Sequence, residues 1–178
     1  MSVRYVYVDE TKRAGYVVAA VTVADPTTTR KALRGLIVPG RRRVHMHNET
    51  TRQRRVIVAA LTSMNISAIV YDAGRNYRTD GEARAACLAT LVQDLVIKDE
   101  DIELVIDQDD SLVRSDRHEL YRLVRQVGVA GRFAYRHQRS YEEHLLALPD
   151  VVAWCWARST EWRRRIMPIV TEVRRVSP

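Results

Sequence analysis

The sequence predicts one α/β domain with a mixed sheet, in which an N-terminal antiparallel hairpin precedes helices that alternate with buried strands and cover both faces of the sheet. Arg4–Val8 alternates between polar and apolar residues, and Tyr16–Val23 is apolar and rich in valine, so the two segments predict the hairpin. Apolar runs of strand length at Ile66–Tyr71 and Ile102–Ile106 predict buried strands. A length of 178 residues fits a single domain over 1–178, with the tail from about residue 166 unassigned.

The segments between these strands carry helical spacing of apolar residues or short β-prone runs. Helices are expected from Asp25-Pro26 to Leu36, from Asn48 or Thr50 to about Ser63, from about Gly81 to Ile97, from Ser115 to Gly128, and from Ser140 to roughly Arg164. The last of these begins with a Ser140-x-x-Glu143 capping box and is expected to break and restart at Pro149. Two further short strands are expected at Arg43–His47 and Arg132–Tyr135.

Composition and charge restrict the function. The net charge of +7 indicates a polyanionic partner, and nucleic acid is the first candidate. No apolar run reaches the roughly 20 residues needed to cross a bilayer, and the N-terminus has no signal-peptide core, so a cytoplasmic protein without a membrane partner is expected. Cys87 and Cys155 lie in apolar helical patterns, which predicts two small buried side chains.

Four aspartates stand where buried elements begin or end: Asp9, Asp72, Asp107 and Asp150. Ligand sites of open α/β sheets form outside the carboxyl ends of the strands. Carboxylates that converge there repel one another unless a cation neutralises them, and oxygen ligands suit Mg²⁺ or Mn²⁺. A single aspartate after a strand is more often a turn former than a ligand. The metal-binding interpretation therefore depends on the whole set of aspartates together with the adjacent pair Asp9-Glu10.

Four segments of the chain form a recognisable set: the opening YVYVDE with YVVAAVTV, the histidine segment RRVHMHNETTRQRR, the strand end LVIDQDDS and the C-terminal SYEEHLLALPDVVAW. Together they resemble the bacterial family called domain of unknown function 3800. The sequence departs from the family pattern at Thr11, where serine or glycine is usual, and at Pro149, where alanine is usual.

The resemblance implies a ribonuclease-H-like fold and a site of acidic residues. Carried over, Asp9, Asp107 and Asp150 are the catalytic and metal-binding candidates, and Glu10 is a further metal ligand. Glu49, before the helix that follows the hairpin, is the candidate helix glutamate, with Glu82 as the alternative. Asp72 competes with Asp107 by element order, but Asp107 matches the family pattern better.

The basic and histidine residues of the RRVHMHNETTRQRR segment are candidates for phosphate contacts: Arg43, His45, His47, Arg52 and Arg55. His45-x-His47 on a strand would also be a plausible zinc pair, although no third ligand follows at typical spacing. Trp154, Trp156 and Trp162 are more typical of core residues than of base-stacking platforms.

Two functions remain after these observations. The first is a nuclease or related phosphoryl-transfer enzyme that depends on Mg²⁺ or Mn²⁺ and acts on RNA or DNA. The alternative is a non-catalytic ribonuclease-H-like module that binds nucleic acid or a protein partner.

Overall fold

The computed structural model of the chain describes residues 2–178. Its strands are β1 (Val3–Thr11), β2 (Tyr16–Val23), β3 (Ile66–Gly74), β4 (Asp101–Asp107), β5 (Phe133–Gln138) and β6 (Val170–Arg175). Its α-helices are α1 (Pro26–Arg34), α2 (Thr51–Thr62), α3 (Asp80–Leu95), α4 (Val113–Gln126), α5 (Ala147–Arg158) and α6 (Thr160–Ile166). Short 3₁₀ turns lie at Met46–Asn48, His144–Leu146 and Met167–Ile169. Over residues 2–178, no helix has the length and apolar character to cross a membrane.

The six strands form one mixed sheet in the order β5-β4-β1-β2-β3-β6. Strand β2 is antiparallel to both β1 and β3, while the pairs β1–β4, β4–β5 and β3–β6 are parallel. Strand β1 therefore lies inside the sheet, hydrogen-bonded on both edges. This topology confirms the predicted class, a mixed sheet with an N-terminal antiparallel hairpin.

Helices cover both faces of the sheet, and each face has its own apolar core. Because successive side chains of a strand point to opposite faces, Tyr7 and Val105 pack on one face while Val6 and Leu104 pack on the other. The first face, which we call the α5 face, is covered by α1, α2, α5 and α6. The second face, the α3 face, is covered by α3 and α4.

Three segments differ from the sequence-based prediction. The expected strand Arg43–His47 is a loop that leads into a 3₁₀ turn, because the Met46 N–H donates to the Asp150 carboxylate instead of a neighbouring strand. The predicted capping box at Ser140 is absent, and Glu143 instead accepts from the Leu145 N–H. The unassigned tail forms β6, which pairs with the exposed edge of β3.

The last helical region also differs in where it is interrupted. Pro149 lies within the first turn of α5, where the missing N–H costs nothing because the first N–H groups of a helix have no intrahelical partner. The break comes instead at Ser159, whose extended backbone separates α5 from α6.

The two cysteines are buried and unpaired with each other, as the helical pattern predicted. Each packs in a different core, Cys87 on the α3 face and Cys155 on the α5 face. Burial raises the pKa of each thiol to about 12. Neither is therefore a thiolate nucleophile at neutral pH.

The β1–β2 turn depends on Gly15. Its φ of +110° is a conformation that residues with a side chain rarely adopt, and a Cβ there would lie 2.8 Å from the carbonyl carbon of Gly74. The turn therefore packs directly on the backbone at the end of β3.

We expect Gly15→Ala to destabilise the protein by about 3 kcal/mol, because backbone strain and a clash with immobile backbone act together. Gly40→Ala is the matched control, since Gly40 also has a positive φ of 84° but a Cβ there would meet no atom within 4 Å. It should cost only about 1 kcal/mol. Urea unfolding monitored by circular dichroism measures both, and equal losses would show that the close approach to Gly74 contributes nothing.

Candidate active site

Asp9 lies where the central strand β1 separates from β4. The parallel pairing ends at Val8 and Ile106, whereas Asp9 still pairs with Ala19 of β2. Because side chains alternate between the two faces along a strand, Asp9 points to the same face as Tyr7, which is the α5 face. Its Oδ1 accepts the Glu10 N–H at 2.7 Å. A carboxylate at this point leaves the apolar core while its backbone is still held by the sheet.

Asp107 is the last residue of the neighbouring strand β4. It follows Val105 by two positions, so it shares the α5 face with Asp9. Burial raises the pKa of Asp107, the positive charge of Arg43 opposes this rise, and the negative charges of Glu10 and Asp150 add to it. The strand end thus brings a second carboxylate next to Asp9.

Asp150 comes from the opposite layer, in the first turn of α5. Its Oδ2 accepts the Met46 N–H at 2.9 Å and lies 3.3 Å from Nδ1 of His45. A carboxylate in the first helical turn is also favoured by the helix dipole. These contacts fix the loop before α2 against the start of α5 and orient the Asp150 carboxylate.

The electrostatics of Asp9 are governed by burial and by its acidic neighbours. Its pKa is raised well above the ordinary value of an aspartate, first because burial removes the carboxylate from water and then because of Asp150, Asp107 and Glu10, in that order. The hydrogen bond from the Glu10 N–H offsets only part of this effect. A negative charge on Asp9 is therefore unfavourable until a cation or a proton neutralises it.

The donor chemistry of this group fits a divalent cation that prefers oxygen ligands. Asp9, Asp107 and Asp150 supply carboxylate oxygens from two strand ends and one helix, which is the type of donor that Mg²⁺ and Mn²⁺ favour. Over residues 2–178, no three side chains of His, Cys, Asp or Glu lie close enough together to form a complete ligand set. Binding a cation would therefore require the carboxylates to move closer together than they lie here.

Glu10 lies on the other face of the sheet. Its Oε2 accepts from Nη1 of Arg84 at 2.6 Å, so its side chain is held on the α3 face and is not brought to the face of Asp9, Asp107 and Asp150. It still contributes negative charge to Asp9 and Asp107 through the sheet. The expected role of Glu10 as a metal ligand does not match these contacts.

Arg84 is the centre of a buried ionic network that the sequence-based reasoning missed. It makes a two-pronged ion pair with Asp116 at 2.7 and 2.8 Å and contacts the Tyr16 hydroxyl at 3.2 Å. His137 Nε2 lies 2.9 Å from the second oxygen of Asp116. Burial by itself lowers the pKa of the Arg84 guanidinium. The contacts with Asp116 and Glu10 have the larger effect and raise this pKa.

The signal for this network was present in the helical periodicity. Arg84 precedes the inward residue Leu88 by four positions, and Asp116 precedes the inward residue Leu120 by four. Both charged residues therefore lie on the apolar stripes of α3 and α4. A charge on the buried face of a helix requires a partner, and these two residues are each other's partner.

Asp72, the competing strand-end residue, occupies a different place. Strand β2 separates β3 from β1, so Asp72 is about 10 Å from β1 across the sheet. Its Oδ1 accepts the Gly74 N–H at 3.0 Å, which is a turn-forming contact.

The two glutamate candidates lie at helix starts. Glu49 is buried, follows the 3₁₀ turn and precedes α2. Glu82 closes a capping box with Thr79 at the start of α3. Glu82 thus has a structural role, and neither glutamate is among the main influences on the Asp9 pKa.

The predicted phosphate-contact residues lie along the loop before α2 and on α2 itself. His45 is half-buried beside Asp150, and the positive charge of Arg43 lowers the pKa of Asp107. His47, Arg52 and Arg55 are exposed. His45 and His47 do not share the face of a strand as expected, because this segment is not a strand; their rings are 6.2 Å apart and tilted.

Comparison with known proteins gives structural similarity and no family. The sequence matches no protein-family model and no curated protein. The structure is similar to a crystal structure of a point mutant of Bst-RNase HIII, with a TM-score of 0.48 and 17% identity. The similarity covers 85% of this chain and 51% of that one, so the chain spans about half the length of the ribonuclease.

Asp9→Asn should stabilise the metal-free protein at neutral pH, because the raised pKa means that ionised Asp9 destabilises the fold. A raised carboxyl pKa makes stability fall as pH rises from the ordinary value of 3.8 through the native value. The advantage of the variant should therefore be largest at pH 8 and disappear near pH 4.

Thermal melts in EDTA between these pH values measure the difference. Asp72→Asn is the matched control and should show no such pH-dependent gain. An Asp9→Asn variant that is no more stable than the wild type at pH 8 would contradict the convergence of the carboxylates.

Proposed function

We propose that this chain is a divalent-metal-dependent nuclease, or a related phosphoryl-transfer enzyme, that acts on nucleic acid. The observation that supports it most directly is the placement of Asp9 and Asp107 at the ends of neighbouring strands and of Asp150 in the first turn of α5, where Asp107 and Asp150 both raise the pKa of Asp9. The net charge of +7 favours a polyanionic substrate.

In this proposal each acidic residue has a distinct position. Asp9 is central, because both of the other carboxylates act on it, and its strand is fixed on both edges. Asp107 and Asp150 flank it from the neighbouring strand and from α5. A divalent cation held by these carboxylates would supply charge neutralisation at a phosphodiester and would lower the pKa of water.

The remaining groups of the site would orient the carboxylates and the substrate. His45 and the Met46 N–H hold the Asp150 carboxylate in place. Arg43 lies close enough to act on Asp107 and has no carboxylate within salt-bridge distance over residues 2–178, so it is available to a phosphate oxygen. Glu49, buried beside this loop, is the candidate fourth acid.

One observation favours the second function, a module that binds nucleic acid or a protein without cleaving. The three carboxylates do not form a complete ligand set as they stand within residues 2–178, and Asp150 already has two protein partners. If the site never binds a cation, the function would depend on the basic surface, which would bind the partner without cleaving it. The two functions differ in their response to metal.

Mn²⁺ at about 100 times its Kd should stabilise the protein by roughly 2.7 kcal/mol, which raises Tm by about 5–10 °C for a domain of this size. Asp9→Asn and Asp107→Asn should both abolish the increase, because each removes a carboxylate from the convergent group. Asp72→Asn, a change of the same size at the end of β3, should leave it intact.

Differential scanning calorimetry with millimolar Mn²⁺ or with EDTA makes this comparison. If Asp72→Asn removes the shift and Asp107→Asn does not, the site is assigned to the wrong strand end. If the wild type shows no shift, the non-catalytic function is the better one.

Purified protein should cleave a labelled nucleic acid in Mn²⁺ and not in EDTA. Single-stranded RNA, single-stranded DNA and an RNA–DNA hybrid are the three substrates to compare. Asp9→Asn and Asp150→Asn should each lower the rate by more than about 100-fold, because each removes a carboxylate from the proposed centre. Cleavage that persists in both variants would place the activity elsewhere.

A further inference from the structure

A second polar site lies on the α5 face, outside the group of acidic residues. It is a pocket of about 340 Å³ lined by Arg13, Arg54, Arg158, Trp154 and Trp162, together with Thr51 and Ser159. Arg13 belongs to the β1–β2 turn, Arg54 to α2 and Arg158 to the end of α5. We call the three arginines the arginine triad. Three separate parts of the fold thus bring guanidinium groups to one place.

The arginine triad has no carboxylate partner within salt-bridge distance in the part of the chain from residue 2 to residue 178. Fourteen ion pairs occur over these residues, and none includes Arg13, Arg54 or Arg158. Arg54 donates only to backbone carbonyls, those of Met46 at 2.9 Å and His47 at 3.1 Å. Its positive charge is therefore not neutralised.

Trp154 holds two of these guanidinium groups by its ring. The Cζ atoms of Arg54 and Arg158 each lie 4.7 Å from the Trp154 ring centroid. Trp162 supports this ring edge-on, with the two centroids 5.1 Å apart. A cation–π contact positions a guanidinium but leaves its charge and most of its N–H donors available.

Arg158 has a buried donor that no described residue satisfies. Its Nε is buried and has no hydrogen-bond partner among the described residues. Burial lowers the pKa of this guanidinium, and the positive charges of Arg13 and Arg54 lower it further. A buried donor without a partner is unfavourable, and nearby like charges add to that cost. An anion bound between the three side chains would remove both.

We propose that the arginine triad binds a phosphate group of a nucleic-acid backbone. This inference rests on the proposed function for the kind of polymer, but the pocket itself does not depend on the carboxylates. Guanidinium groups form two-pronged contacts with phosphate oxygens, and Thr51 and Ser159 add hydroxyl donors at the rim.

The distance to the carboxylates suits a single bound strand. Trp154 and Arg158 follow Asp150 on α5 by four and eight residues, which corresponds to about 6 and 12 Å along the helix. At about 3.4 Å of rise per nucleotide, a strand with one phosphate at Asp150 would place another at the arginine triad a few nucleotides away. Arg54 connects the arginine triad to Asp150. It donates to the Met46 carbonyl, and the Met46 N–H donates to the Asp150 carboxylate.

The test is nucleic-acid binding in EDTA, where cleavage does not occur. Fluorescence anisotropy with labelled 20-nucleotide single strands and duplexes measures Kd across a range of salt concentrations. We expect Arg13→Gln/Arg158→Gln to weaken binding about tenfold or more and to reduce the salt slope by about one phosphate contact. Arg54 is left unchanged, since its backbone contacts also hold the loop beside Asp150.

Arg125→Gln is the matched control. Arg125 also lies over an aromatic ring, 4.6 Å from the Tyr121 centroid, but it is on α4 on the opposite face of the sheet. Arg125→Gln removes one positive charge, as Arg13→Gln alone does, and should change Kd by less than about twofold, since it lies away from the arginine triad. If Arg125→Gln weakens binding as much as Arg13→Gln alone, the effect is one of net charge and the proposal is overturned.

Two further results keep the proposal falsifiable. If the double variant does not fold, Arg13→Gln alone changes only an exposed turn residue and should still weaken binding. If inorganic phosphate stabilises the wild type but not the variant while both bind the oligonucleotides equally, the pocket binds free phosphate and the proposal is wrong. These binding measurements are made in EDTA, without metal. Their outcome therefore does not decide whether the protein cleaves nucleic acid in the presence of metal.

Discussion

The fold and the candidate site both depend on how strand β1 ends. Asp9 and Glu10 are adjacent on a strand that is hydrogen-bonded on both edges up to Val8, so their side chains must point to opposite faces of the sheet. One carboxylate faces α5 and the other faces α3. This single constraint puts Asp9, which has no basic partner within salt-bridge distance over residues 2–178, and Glu10, which is paired with Arg84, on opposite faces.

The two faces solve the problem of buried charge differently. On the α3 face, Glu10 and Asp116 share Arg84, and His137 and Tyr16 complete the network. A paired and hydrogen-bonded group of this kind is tolerated in a core, whereas removal of one partner would leave an uncompensated charge. On the α5 face, Asp9 has only negative neighbours among its main influences, apart from one backbone N–H. The same sheet therefore holds a carboxylate group that is neutralised by its own partners and, at Asp9, a carboxylate whose negative charge is unfavourable.

The loop before α2 connects the acidic residues to the basic pocket. Its Met46 N–H and His45 contact Asp150, and its carbonyl groups accept from Arg54. Arg54 in turn lies over Trp154, one turn beyond Asp150 on α5. The tryptophans were expected to be core residues, but they are half-buried. The face of the Trp154 ring contacts two arginines, so its role lies between core packing and base stacking.

Periodicity in the sequence by itself determined the mixed sheet, the hairpin and the positions of most helices, because alternation and helical spacing are local properties of the chain. It also drew attention to Asp9, Asp72, Asp107 and Asp150, since each interrupts or ends an apolar run, whereas the family resemblance was needed to favour Asp107 over Asp72. It did not assign β6, because an exposed basic strand pairs only when the edge of β3 is already present. The partner of Glu10, the conformation of the loop at Met46 and the meeting of Arg13, Arg54 and Arg158 were decided by tertiary structure alone. These contacts join residues far apart in the chain, and the sequence contains no local pattern that specifies which distant charge or ring a side chain will meet.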